Sequence, residues 1–294
     1  MFHSSNPVLT RQQEFQPRYS SAPHAGQQYA DPRYQQQYGD PRHQQQYGDP
    51  RLRGGDIYGG APVQQPPAEG VMTMEDVIAK TALCLGLVAA VAAAAWFLIP
   101  DALIYPALIG AGLLSIVAVV AVMMIKKINP VVVFGYALVE GVFVGMLSKI
   151  FEYSYPGIVV TAVVSTFMVA GVVLAAYRFF NLGRVASRIR KIVIIATAGL
   201  ALALVANFLL NIFGVFDLGL RAGVTGPVTP LVIGVSALAV VLATLNLILD
   251  FEFIESGIRN RAPASMSWVA AFGLTVTMIW LYTEILRIIS YFRR

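Results

Sequence analysis

From Met72 onward the chain is a succession of apolar runs, each close to the roughly 20 residues that a helix needs to cross about 30 Å of hydrocarbon. Seven such runs occur, at 78–99, 102–125, 130–151, 155–177, 192–213, 228–249 and 268–290. Backbone N–H and C=O groups find no water in hydrocarbon and must bond within their own segment, so these runs predict seven transmembrane helices. Local signals agree. Thr73-Met-Glu-Asp76 reads as a capping box ahead of the first run, with Thr73 as N-cap and Asp76 reaching back. Pro130, Pro156 and Pro227 sit near predicted helix starts, where a missing N–H costs nothing. Gly141 and Gly145 form a GxxxG pair in the third run, which predicts close approach of a neighbouring helix.

Residues 1–70 are of another kind. Three imperfect nonapeptides follow one another: Tyr29-Ala-Asp-Pro-Arg-Tyr-Gln-Gln-Gln, Tyr38-Gly-Asp-Pro-Arg-His-Gln-Gln-Gln and Tyr47-Gly-Asp-Pro-Arg-Leu-Arg-Gly-Gly. The unit is too short for a solenoid repeat and has no aliphatic periodicity. A chain of Gln, Gly, Pro and Arg buries too little surface to offset its own entropy, so this tail is expected to be disordered, as a spacer or as a multivalent Tyr/Arg self-association segment. The organisation expected is therefore a tail over 1–70 and a membrane domain over 71–294.

Composition sharpens this picture. Hydrophobic residues make up 57% and charged residues 13% of the chain, against about 25% charged in an ordinary soluble domain. The net charge of +5 belongs wholly to the hydrophobic part, because the tail carries six Arg and six acidic residues. That removes the main support for nucleic-acid binding. No basic segment leads directly into an apolar run at the N-terminus, which argues against a cleaved signal peptide. Cys84 is the single cysteine, so no intrachain disulfide is possible, and it reads as a small core residue. His3, His24 and His43 all lie in the tail, leaving the membrane part without His or paired Cys for a zinc site of the usual kind. HExxH, GxSxG and GxxxxGK[ST] are absent, so the chain is expected to be a channel or transporter in a cell (inner or plasma) membrane, without a cofactor, and not an enzyme.

Cytoplasmic loops carry the Lys and Arg excess. One set of alternate loops holds Lys126, Lys127, Arg178, Arg184, Arg188, Arg190, Lys191, Arg259 and Arg261; the other holds Lys149 and Arg221, with Arg287, Arg293 and Arg294 near the end of the chain. The N-terminus is accordingly expected in the cytoplasm and the C-terminus opposite, unless the last helix is re-entrant and returns its basic end.

An ionisable side chain within hydrocarbon costs several kcal/mol and is a functional candidate by default. Glu140, Asp250 and Glu284 qualify. Glu140 lies mid-run with no base within two turns on its own helix, so it is either protonated or faces a polar interior. Asp250 follows Asn246 by one turn, so both project from one face. Glu252 and Glu255 come next, with Arg259 and Arg261 as possible neutralising partners. Glu284 has Arg287 at i, i+3, a possible self-contained ion pair. Asn207 and Asn211 add polar surface to the fifth run, as interhelical glue or as pore lining.

Three phrases resemble the Bax inhibitor-1 family, also called TMBIM, with bacterial members of the YccA and YetJ type. Gly135-Tyr-Ala-Leu-Val-Glu-Gly141 is similar to the family's aromatic and Glu-Gly signature. Leu249-Asp-Phe-Glu-Phe-Ile-Glu255 is similar to the end of its sixth helix, and Leu281-Tyr-Thr-Glu-Ile-Leu-Arg287 to the Leu-Tyr-x-Asp pattern of its last helix, with Glu284 in place of the usual Asp. The opening Ser5-Asn-Pro-Val-Leu9 suggests an actinobacterial branch. The resemblance covers about 129–294 and implies six helices wrapped around a central seventh, a Ca²⁺ leak, and pH gating by an acid pair. Carried over, the pair is Asp250 with Glu284, sharing a proton and transiently attracting Ca²⁺, and Glu140 is the signature acid. The alternative is a non-transporting protein that modulates a membrane protease or a stress response through its tail, as YccA-type members do. Intramembrane aspartyl proteolysis is disfavoured because Gly-x-Gly-Asp is absent.

Overall fold

The computed structural model describes residues 70–125, 130–214, 217–223 and 226–293; the tail repeats lie outside these. Seven helices follow in order: α1 (Met74–Leu98), α2 (Ile104–Met124), α3 (Pro130–Ser154), α4 (Ile158–Phe179), α5 (Gly183–Ile212), α6 (Pro230–Arg259) and α7 (Met266–Phe292). All seven are long and apolar enough to cross a membrane. The last is a full-length helix, so the re-entrant alternative falls and the chain enters and leaves the bundle at opposite ends. We call the end holding the start of α1 the proximal end and the other the distal end.

Helix starts follow the local chemistry. Thr73 accepts a hydrogen bond from the Asp76 N–H at 3.2 Å, but Asp76 does not complete the box; its carboxylate takes Lys80 at 2.6 Å instead. Pro130 is the first residue of α3. At α6 the starting proline is Pro230 rather than Pro227, with Thr229 capping Val232 N at 3.3 Å. Helices α5 and α6 are each 30 residues, well beyond their apolar runs. At about 1.5 Å per residue they reach 45 Å, more than the hydrocarbon requires. Both overruns are proximal, where the basic start of α5 packs along the acidic end of α6.

The expected central seventh helix is present, and α7 is at once the least apolar and the most enclosed of the seven. A helix screened from lipid by its neighbours can carry Thr, Ser and Glu without meeting hydrocarbon. Of the six helices around it, α1, α3, α4 and α6 pack on it directly, whereas α2 is held by α3 and α5 by α6. Gly141 and Gly145 make the α1–α3 seam possible, as the GxxxG pair predicts. A Cβ at Gly141 would lie 2.6 Å from Val91 Cβ, and one at Gly145 would lie 2.6 Å from the Ala92 carbonyl oxygen. Cys84 is fully buried in the core. The chain entering α1 is strapped to the α6–α7 turn by Met72 N to Ala262 O at 2.8 Å and Ala264 N to Gly70 O at 2.7 Å.

Candidate functional site

Asp250 projects from α6 onto α7, 3% exposed. Its carboxylate accepts a 2.6 Å hydrogen bond from the Thr277 hydroxyl. One turn earlier Asn246 turns toward a different neighbour: its amide donates to Thr197 Oγ1 on α5 at 2.7 Å and to the Leu242 carbonyl at 2.8 Å. Asn246 thus ties α5 to α6 and does not line a path with Asp250.

Glu284, 1% exposed, has a partner that no helix supplies. Arg221, in the α5–α6 loop, reaches inward and grips the carboxylate with both terminal nitrogens, Nη1 to Oε2 at 2.8 Å and Nη2 to Oε1. A planar guanidinium matches a carboxylate in this two-pronged way, which gives direction as well as charge. Trp280 Nε1 adds a third donor at 3.3 Å. The loop is held down on either side of Arg221. Asn207 accepts from Leu218 N at 3.0 Å, and Arg287 donates to the Ala222 carbonyl at 3.4 Å.

Two expectations are corrected here. Asp250 and Glu284 do not share a proton in this structure, because each carboxylate has its own partners, and Thr277 precedes Glu284 by two turns, about 10 Å along α7. The self-contained Glu284 and Arg287 pair is replaced as well, since the ion pair runs to Arg221. Seven residues return a helix to nearly the same face, so Thr277 and Glu284 both look along one side of α7. Fully buried Leu281 and, on α6, Ala243 and Leu247 belong to the core between these levels.

The other candidates scatter. Glu140 is buried on α3, with Ser115 of α2 and Tyr136 of its own helix as polar neighbours. Asn207 serves the loop rather than a pore. Asn211 is exposed, which ends its role as interior lining. Among the described residues no group of three His, Cys, Asp or Glu converges on a metal position.

At the proximal end a second cluster joins three helices. Glu252 is ion-paired with Arg190 of α5, both buried. Glu255 accepts from the Tyr177 hydroxyl of α4 at 2.5 Å and lies 3.6 Å from Arg259. Arg259 therefore neutralises Glu255 as expected, but Glu252 takes its base from another helix. Sequence reasoning placed Arg190 and Arg221 among loop charges and passed over Thr277 and Trp280. The one available signal for Arg221 was its isolation in a loop with so few other charges.

A bundle of seven membrane-crossing helices, with carboxylates enclosed against its central helix, defines a multi-pass integral membrane protein. The family model described as Bax inhibitor 1 like matches residues 6–294, and the chain belongs to that family. No curated protein matches it.

Proposed function

We propose that this protein is a pH-sensitive cation leak, chiefly for Ca²⁺, in which the loop-borne Arg221 acts as a plug on Glu284. The observation that carries this reading is a carboxylate sealed on the central helix by a guanidinium delivered from a connecting loop. A loop can leave without dismantling the helix packing. With Arg221 withdrawn, Glu284 would offer two oxygens to a hard cation, and Asp250 would offer the next pair two turns further along the same side of α7. The acids then act in sequence along a path rather than as one proton-sharing pair. The pH dependence lies with Asp250, which has the Thr277 hydroxyl beside it and no cationic partner among the described residues: a proton there removes one of the two charges that draw the cation along the path. The excess of Lys and Arg at the proximal end supports an N-terminus in the cytoplasm, with the plug on the opposite side.

The test is Ca²⁺ flux into liposomes holding an indicator, from pH 8 to pH 6, for the full chain and for Arg221→Gln, Glu284→Gln and Asp250→Asn. Arg221→Gln should raise the leak, and Asp250→Asn should lower it and flatten its pH dependence. Flux no greater than that of empty liposomes, for the wild type and for Arg221→Gln alike, would refute the reading.

A further inference from the structure

Helices α1 and α4 both lean on α7 with no packed seam between them. At the proximal end the gap widens into a cavity of about 760 Å³. Its lower walls are apolar, with Met74, Val77, Leu174 and Leu274, whereas its rim carries Arg178, Arg184 and Arg259. Ile78 and Leu174, flanking the gap on α1 and α4, are 59% and 42% exposed, so the opening faces sideways into the bilayer as well as toward water.

The charges on the rim are not balanced. Glu252 is taken by Arg190, and Glu255 by Tyr177 and Arg259. Four guanidiniums, counting Arg190, face two carboxylates, which leaves a surplus of +2. That surplus is Arg178 and Arg184, which have no acidic partner among the described residues. A short turn brings them together. Asn181 takes a left-handed conformation, φ 50°, and reverses the chain between α4 and α5, putting the two arginines on either side of one corner. Gly183 lies where a side chain would crowd the Tyr177 hydroxyl, 3.1 Å from its would-be Cβ.

We propose that this cavity binds the headgroup of an anionic phospholipid drawn from the leaflet at the proximal end. The phosphate would sit between Arg178 and Arg184, and the glycerol and first methylenes would lie on the Val77 and Leu174 walls. Charge surplus at the rim, apolar surface beneath it and a lateral opening together fit an amphipathic anion better than a free one.

The test uses the full chain in mild detergent and native mass spectrometry with added phosphatidylglycerol, phosphatidylcholine or inorganic phosphate. Phosphatidylglycerol should be retained over phosphatidylcholine. The double variant Arg178→Gln/Arg184→Gln should lose about 30-fold of that preference, the effect of two basic groups at an anionic headgroup. Arg178→Lys/Arg184→Lys should restore most of it, and thermal unfolding of both variants should match the wild type because both side chains are exposed. Arg188→Gln is the control: Arg188 is basic and exposed, one turn beyond Arg184, but off the cavity wall. Equal retention of the two lipids would overturn the proposal. So would an Arg188→Gln effect as large as that of Arg178→Gln, which would mean general surface attraction. Displacement of phosphatidylglycerol by millimolar inorganic phosphate would overturn the lipid assignment in favour of a free anion.

Discussion

Replacing Arg221 with Met separates the ion pair at the distal end into its parts. In the wild type the Glu284 carboxylate has two guanidinium donors and the Trp280 N–H at 3.3 Å. The variant leaves it, at 1% exposure, with only the weakest of the three. Stranding one partner of a buried pair costs about 3–5 kcal/mol. Arg221, 18% exposed at its side chain, sits toward the low end of such burial and keeps some water. Glu284→Gln should therefore cost less, about 1–2 kcal/mol, because the amide still accepts from Arg221 and the arginine can turn outward. The double variant should cost less than the sum of the two, with a coupling of about 2 kcal/mol. Equilibrium unfolding in mixed micelles, read by tryptophan fluorescence, measures all three, and Trp280 is a reporter bonded to the site itself. Additive losses, within about 0.5 kcal/mol, would show that the pair contributes nothing and would refute the reasoning.

Gly145→Val forces side-chain carbon toward the Ala92 carbonyl already 2.6 Å from the would-be Cβ, and should lower stability by about 1–3 kcal/mol or more by the same unfolding assay. Arg190→Ala strands buried Glu252 and should cost about 3–5 kcal/mol, whereas Arg259→Ala, in a pair more than half exposed on both sides, should cost no more than about 1 kcal/mol. Asn246→Leu should lose about 1 kcal/mol with its bond to Thr197, and Asn211→Leu, at an exposed position, less than about 0.5 kcal/mol.

The helices were legible because the bilayer imposes one length and one polarity on every span. Their ends were less so: apolar runs stop where lipid stops, but a helix continues while its hydrogen bonds do, which is why α5 begins at Gly183 and α6 ends at Arg259. Glu140, Asp250 and Glu284 stood out as acids in apolar surroundings, and all three are buried. Their partners did not stand out. Thr277 is an ordinary residue in an apolar run, and Arg221 lies 63 residues from the glutamate it holds.

From sequence alone, then, this protein is a seven-helix membrane bundle of the Bax inhibitor-1 type with three acids inside it, because desolvation makes each span and each buried charge visible one segment at a time. Which side chain answers each acid was decided only by tertiary structure. Partner choice depends on where helix faces and the α5–α6 loop meet in space, and a charge carries no mark of its distant counterpart. The same is true of the basic surplus beside the α1 and α4 gap, which exists only once the acids of α6 have been claimed by Arg190, Tyr177 and Arg259.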